Sequence, residues 1–165
     1  MSSLVFVNWT ADKIPTAPND AILEMAEFMM VTFQWLSNLP ASAKDSAYFM
    51  CCSKMSSGII EHLRSKKLVK LSLFSIAALD LDVKHLEAFA ESTGVPQLKH
   101  CFDELQLLVG SLLDPKFIHD ATHFAPLAFM SSYRQLDLDC LADIFEKVVA
   151  PSSGALLGTL PKLDR

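Results

Sequence analysis

Apolar residues recur along most of the chain at spacings of three and four, the period of an amphipathic α-helix. No segment shows the apolar–polar alternation of a half-buried strand. Residues Ser2–Pro18 break the pattern with Pro15 and Pro18 and predict an irregular lead-in. Beyond it the spacing predicts main helices over residues 19–37, 40–64, 71–92, 96–113 and 138–149. The predicted fold class is therefore all-α, with about five main helices.

The first predicted helix is apolar around most of its circumference. Its polar positions fall on one narrow stripe, made of Asp20, Glu24, Glu27 and Gln34. Nearly every other position carries a large apolar side chain, including Phe28, Met30 and Trp35. Because a surface helix normally keeps a broad polar face, this pattern predicts a helix covered on most sides.

The third predicted helix, about Leu71–Ser92, is apolar on two sides when its residues are placed at about 100° per residue. One stripe contains Ile76, Leu79, Val83, Leu86 and Ala90. A second stripe, roughly opposite, contains Phe74, Ala78, Leu81, His85 and Phe89. Between them lies a charged ridge, defined as Asp80, Lys84, Glu87 and Glu91. This arrangement predicts a central helix packed between neighbours, with one edge in water and a stop at Gly94.

The other helices are predicted to bury one face each. In the second helix that face is Ala47, Met50, Cys51, Ile59 and Leu63. In the fourth it is Leu98, Cys101, Phe102, Leu105, Leu108, Val109 and Leu112, and in the last it is Leu141, Ile144, Phe145 and Val148. Between these two helices, Lys116–Arg134 is less regular, and we expect short helical turns there. Residues 1–150 thus form one predicted helical domain, and residues 151–165 a flexible tail.

The composition of the chain argues against several classes of function. The 165 residues are 51% hydrophobic, the mean hydropathy is +0.29 and the formal net charge is -5. Such hydrophobicity means either burial on several sides of the helices or a surface that meets another chain. The acidic balance argues against nucleic acid as a partner. No stretch reaches the roughly 20 apolar residues of a membrane span, and four cysteines without C-x-x-C spacing indicate buried thiols in a reducing, cytosolic compartment.

Three pairs of residues have a spacing that suggests metal binding or catalysis, and each has a simpler explanation. His119 and His123 have the spacing of two metal ligands but lack a third. Asp82 and His85 could touch within a helix, yet no nucleophile accompanies them. Cys51 and Cys52 lack a fixed base that would lower a thiol pKa. The sequence therefore predicts no catalytic residue, no metal and no cofactor.

The charged ridge is the strongest positive candidate. Its ordinary interpretation is a solvated helix face, with an Asp80–Lys84 pair that contributes a few tenths of a kcal/mol. Its functional interpretation is a docking edge, where charged rims beside apolar flanks steer and then hold a protein.

Several motifs follow one another in an order that resembles the C-terminal end of Sec15, a subunit family of the exocyst vesicle-tethering complex. They are Asn8-Trp9, Phe33-x-x-Leu36-x-x-Leu39-Pro40, Leu79-Asp80-Leu81-Asp82-Val83, Glu87-x-Phe89-Ala90, Val95-Pro96, Phe102-x-Glu104-Leu105-Gln106-x-Leu108, Tyr133 and Ile144-Phe145-Glu146-Lys147. The resemblance spans about residues 8–149. Residues 117–132 depart from the family pattern.

The resemblance implies an elongated antiparallel bundle of the kind found in multisubunit tethering complexes. It also implies a non-catalytic module that binds a GTP-loaded Rab GTPase and other exocyst subunits. Such a module would be cytoplasmic and would meet vesicle and plasma membranes only through its partners. Because the family's Leu-Asp-Val motif coincides with the ridge, the predicted Rab-binding residues are Asp80, Asp82, Lys84 and Glu87. A structural segment that docks other subunits without Rab contact, or a small helical ligand-binding protein, are the alternatives.

Overall fold

The computed structural model of the chain describes residues 9–114, 140, 143, 144 and 146–149. Their α-helices are α1 (Asp20–Leu36), α2 (Ala41–Arg64), α3 (Leu73–Ser92) and α4 (Asp103–Leu113). A 3-10 helix (Leu98–Phe102) precedes α4 directly, and two short strands, β1 (Leu71–Ser72) and β2 (Val148–Val149), complete the described elements. The described part of the chain is mostly helical, which confirms the predicted all-α class.

Helix α3 lies at the centre of the described structure, as its two apolar stripes predict. It contacts α1 on one side and both α4 and the 3-10 helix on another. All five residues of the first stripe are buried, whereas the second stripe is half-buried except for the buried Phe89. The ring of Phe89 lies 5.6 Å from that of Phe33 on α1. The second stripe therefore faces α1 through its C-terminal end.

Helix α1 has its outer face in solvent, so the prediction that it is covered on most sides is wrong for this chain. Only Ile22, Ala26, Met29 and Phe33 are buried along it. These four follow the i, i+4, i+7, i+11 spacing of one helical face. Helix α3 is its main described neighbour, and Phe28, Val31 and Trp35 on the opposite side are exposed.

Helix α2 has the predicted limits, but its buried line differs in its N-terminal half. Ile59 and Leu63 are buried as predicted, whereas Met50 and Cys51 are exposed. Tyr48 and Cys52 take the inward positions instead. The Tyr48 ring stacks on Phe33 at 3.7 Å between centroids, and its hydroxyl donates to the Phe33 carbonyl at 2.7 Å. An aromatic contact with α1 thus sets the rotation of this half of α2.

The predicted fourth helix begins as a 3-10 helix and continues as α4. Gly94 ends the preceding helix with φ +74°, a left-handed conformation that glycine adopts without strain. Phe102 is completely buried where the 3-10 helix becomes α4, and the 3-10 helix contacts both α2 and α3. The predicted inward face of α4 is confirmed, because its four leucine and valine positions are all buried.

The prediction that the last helix extends to Val149 is wrong. Residues Glu146 and Lys147 form a turn, and Val148–Val149 forms β2, which pairs in parallel with β1. The Leu71 amide donates to the Lys147 carbonyl at 2.7 Å. Two β-branched residues favour an extended backbone, and the partner strand lies far away in sequence, so no local pattern signalled the pairing. Cys140, Asp143 and Ile144 are helical as predicted.

Lys147 lies against the C-terminus of α2. Its ammonium donates to the Leu63 carbonyl at 2.7 Å and to the Ser65 carbonyl at 2.9 Å. A cation at this position satisfies carbonyls that have no partner within the helix and complements the negative end of the helix dipole. Lys147 therefore stabilises the C-terminal end of α2.

The lead-in is irregular over the described residues 9–18, as predicted, and it is anchored at Trp9. The Trp9 side chain is buried, and its carbonyl accepts a hydrogen bond from the Ser72 amide at 3.0 Å. Its ring lies 5.5 Å from the imidazole of His62 on α2. Burial, followed by the positive charges of Lys147 and Lys67, lowers the pKa of His62 below 6.5.

We expect His62 to weaken the fold in mild acid. Its folded pKa is lowered, so the unfolded chain binds the proton first as the pH falls below 6.5. The free energy of unfolding should then decrease between about pH 7 and pH 5, a window set by the usual titration range of histidine. His62→Gln should flatten this part of the profile in urea titrations. Gln34→Ala, at an exposed residue that does not titrate, should leave the slope unchanged, and an equal flattening by both variants would contradict the assignment.

Several predictions lie outside the described residues. They concern the turns at 116–134, the histidine pair His119 and His123, Leu141 and Phe145 in the last helix, and the tail at 151–165. Among the described helices, none is both long enough and apolar enough to cross a membrane.

Candidate partner-binding surface

The charged ridge lies along α3 and is tied together by ion pairs. Lys84 contacts Asp80 at 2.9 Å, one helical turn away. Glu91 contacts Lys99, which belongs to the 3-10 helix, at 3.1 Å. Asp80 is largely covered, with 15% of its side chain exposed, whereas Lys84 and Glu91 are exposed. The ridge therefore presents a cation flanked by carboxylates, and it is held on a helix whose other sides are packed.

Glu87 is a carboxylate of the ridge whose pKa is raised. Its Oε2 accepts a hydrogen bond from the Gln106 side chain of α4 at 3.4 Å. Partial burial raises the pKa of Glu87, and repulsion from Asp103, Glu91 and Asp80 adds to the effect, while Lys99 opposes it. Each nearby carboxylate disfavours a further negative charge. A cation from a partner would relieve this repulsion, so the ridge is electrostatically suited to a basic group.

Asp82 does not belong to this surface, and the expectation that it lies at the wet edge beside Asp80 is wrong. Its side chain is 2% exposed. Asp82 Oδ1 accepts from the Asn19 amide at 2.7 Å, and Oδ2 accepts from the Asn19 side-chain nitrogen at 2.6 Å. Burial raises the pKa of Asp82, and the two hydrogen bonds from Asn19 and the charge of His85 oppose that rise. Asp82 therefore fastens the start of α1 to α3.

The helical period alone indicates that Asp80 and Asp82 lie on different sides of α3. Residues two apart differ by about 200° around a helix. If Asp80 faces water, Asp82 must face nearly the opposite way, between the two apolar stripes. Asn19 occupies the N-cap position of α1, but its side chain donates to Asp82 and makes no capping hydrogen bond to α1. Of the four predicted site residues, Asp80, Lys84 and Glu87 are brought together on one edge.

Two of the three groups of residues considered as chemical sites lie within the described residues: Asp82 with His85, and Cys51 with Cys52. Burial raises the pKa of Cys52 to about 12, with smaller contributions from Cys101 and Cys51, so its thiol is unreactive. Within the described residues, no group of three or more His, Cys, Asp or Glu side chains is placed to hold a metal ion. A groove of about 410 Å³ lies between the N-terminal half of α2 and the loop after α3. Its lining is open to solvent over Asp45, Ser46 and Pro96, unlike an enclosed ligand site.

A second surface, which the sequence pattern did not reveal, lies on the outer side of α1. We define the α1 outer face as Phe28, Val31 and Trp35, which are 71%, 53% and 79% exposed. Their i, i+3, i+7 spacing places them in one line, opposite the residues that pack on α3. Exposed aromatic side chains in a row are uncommon on a surface that meets only water.

The chain matches the family model "Exocyst complex subunit Sec15 C-terminal" over residues 2–147. This match covers all described elements up to the start of β2. It includes the charged ridge, the Asn19–Asp82 contact and the α1 outer face.

Two curated relatives illustrate the similarity. Exocyst complex component SEC15B of Arabidopsis thaliana is 28% identical over 169 residues, covering 96% of this chain and 21% of the relative. Exocyst complex component 6 of Homo sapiens is 26% identical over 100 residues, covering 61% of this chain and 12% of the relative. The chain thus spans about a fifth or less of the length of these relatives. No solved structure matches the chain.

Proposed function

Because this chain belongs to the C-terminal family of the exocyst subunit Sec15, we propose that it is a non-catalytic interaction module in vesicle tethering. In this role it acts during exocytosis, when secretory vesicles are held at the plasma membrane before fusion. The match to the family model over residues 2–147 carries the proposal. The relatives are named as exocyst components, which supports other exocyst subunits as partners.

The finer part of the proposal is that a GTP-loaded Rab GTPase binds the charged ridge. Three of the four residues that the sequence predicts for this contact, Asp80, Lys84 and Glu87, share one edge of α3, while Asp82 is excluded by its burial. The packing of α3 on α1 and α4 supports a surface that keeps its shape when it binds. Rab switch regions change their order with the bound nucleotide. A preformed edge can therefore favour one nucleotide state without moving itself.

A pull-down with a panel of Rab GTPases, each loaded with GDP or a GTP analogue, tests this proposal. We expect one Rab to bind at least about tenfold better in the GTP form, which corresponds to ~1.4 kcal/mol. The double variant Lys84→Glu/Glu87→Lys should weaken that binding by about tenfold or more, because it reverses both charges on the rim. Helix content measured by circular dichroism should stay unchanged, since both side chains lie outside the core.

Glu61→Lys is the matched control, because Glu61 is an exposed glutamate on α2, away from the ridge. This variant should bind the Rab like the unaltered chain. Equal binding in both nucleotide states, or no binding to any Rab, would refute the effector role and leave a segment that only docks other subunits. Unfolding of the double variant would instead show that the ridge stabilises the fold.

The proposal extends to shape and location. We propose that the helices of this chain form an elongated antiparallel bundle of about five main helices, as in other tethering subunits. The module would then be cytoplasmic and peripheral to secretory vesicles and plasma membrane. Its contact with lipid would be indirect, through partner proteins.

A further inference from the structure

The α1 outer face is exposed, and it carries two of the most exposed aromatic side chains of the described structure. Phe28 and Trp35 are 71% and 79% exposed and lie about 10 Å apart along the helix axis. Val31 fills the position between them. The opposite face of α1 packs on α3 through Phe33 and is fastened by Asn19. The helix is therefore held rigidly while its outer side remains uncovered.

The charged side chains of α1 are all negative. Helix α1 contains Asp20, Glu24 and Glu27, all exposed, and no lysine or arginine. Glu24 lies beside Phe28 on the helix surface, and Asp20 and Glu27 border the same side at about 50–75° from the apolar line. Among the described residues, no ion pair neutralises these three carboxylates. The face thus combines an apolar seam with an unpaired acidic border.

We propose that the α1 outer face docks an amphipathic helix of a partner protein, with apolar residues at i, i+3/i+4 and i+7 and basic residues along one flank. Such a helix would pack on Phe28, Val31 and Trp35 in the manner of a helix–helix seam. Its lysines or arginines would meet Asp20, Glu24 and Glu27. This surface lies on the far side of α1 from α3, so it is separate from the ridge proposed for the Rab contact.

Charge separates this occupant from two others. A membrane rich in anionic lipid would be repelled by the acidic border, whereas surface-binding helices normally carry lysine and arginine on their polar face. A second copy of this chain would bring an α1 that is equally acidic and has no basic residue in its last turn. Neither arrangement neutralises the three carboxylates. A basic helix does so and buries the aromatic side chains at the same time.

The test uses the full 165-residue chain and two synthetic peptides of about 20 residues, long enough to form a helix. Both carry the same leucine seam, and one has lysine and the other glutamate at the flanking positions. Fluorescence anisotropy of the labelled peptides measures binding. We expect the lysine peptide to bind at least about tenfold more tightly than the glutamate peptide. That difference should shrink as the salt concentration rises.

Variants of the protein locate the site. Trp35→Ala and Phe28→Ala should each weaken binding of the lysine peptide by about tenfold or more, as expected for buried aromatic anchors. Val69→Ala is the matched control, because Val69 is 71% exposed in the segment before β1 and should leave binding unchanged. Circular dichroism confirms that each variant is folded, and folding is expected to persist because both aromatic side chains are in solvent.

Three results would overturn the proposal. The first is equal binding of both peptides, and the second is binding that survives Trp35→Ala and Phe28→Ala. The third is a different occupant, seen as dimerisation that Trp35→Ala abolishes in sedimentation, or as Trp35-dependent binding to vesicles of phosphatidylcholine and phosphatidylserine. Each of these leaves the Rab pull-down unaffected, since that experiment alters only Lys84, Glu87 and Glu61.

Discussion

Asp82→Ala should lower the free energy of unfolding by about 1–3 kcal/mol, the cost of leaving hydrogen-bond donors without their acceptor. The carboxylate accepts two hydrogen bonds from Asn19 at 2.7 and 2.6 Å. Its removal leaves the amide and the side-chain nitrogen of the half-buried Asn19 without this partner. Urea denaturation followed by circular dichroism measures the change.

Asp80→Ala is the control for this experiment, because it removes a carboxylate from the same helix two residues away. Its pair with the exposed Lys84 should contribute only about 0.3–0.5 kcal/mol. Asn19→Ala should cost less than Asp82→Ala, since it removes the side-chain bond and keeps the backbone bond. Equal costs for Asp82→Ala and Asp80→Ala would contradict the assigned role of Asp82.

The effect of Asp82 should also depend on pH. Burial raises its pKa above 3.8, so ionisation is less favourable in the folded chain than in the unfolded chain. The folded state then loses stability as the pH rises through the raised pKa. The stability difference between the unaltered chain and Asp82→Ala should therefore be larger near pH 4 than near pH 8. The opposite trend would mean that the hydrogen bonds from Asn19 outweigh the cost of burial.

Phe102→Ala should destabilise the chain by about 3–5 kcal/mol, the usual cost of removing a buried aromatic side chain and leaving a cavity. Phe102 is completely buried, and its 3-10 helix contacts α2, α3 and α4. Removing the Phe102 ring therefore weakens the packing of the 3-10 helix against α2, α3 and α4. Phe102→Leu should cost about 1 kcal/mol, because it keeps most of the apolar volume.

Leu107→Ala is the matched control on α4. Leu107 is exposed, so its truncation should change the free energy of unfolding by less than about 0.5 kcal/mol. Urea denaturation measures these changes. An unchanged dependence of the unfolding free energy on urea concentration would show that the native structure is retained in all three variants. A loss for Phe102→Ala no larger than that for Leu107→Ala would contradict the placement of Phe102 in the core.

The two proposed contact surfaces lie on different helices and have different chemistry. The charged ridge offers Lys84 between carboxylates on a helix held from both sides. The α1 outer face offers aromatic side chains beside an acidic border. A module with two such surfaces could hold a GTPase and a partner helix at the same time, which suits a tethering subunit.

The sequence by itself determined the helices and the faces they bury. The three- and four-residue spacing gave the limits of α2 and the first stripe of α3, because local hydrogen bonding and one-sided burial depend on residues close in sequence. It also placed Gly94 at the end of a helix and assembled Asp80, Lys84 and Glu87 on one edge. The order of short motifs was enough for the resemblance to the Sec15 family.

Only the tertiary structure decided which contacts join distant segments. The bond from Asn19 to Asp82, the pairing of Leu71 with Val148 and the contact of Lys147 with the end of α2 link residues about 60 to 85 positions apart. Whether the outer side of α1 is covered likewise depends on neighbours that lie elsewhere along the chain. Periodicity reports that a side chain is apolar or charged, but burial and pairing depend on what the fold brings beside it. For that reason the charged Asp82 is buried against Asn19, whereas the apolar Trp35 is exposed to solvent.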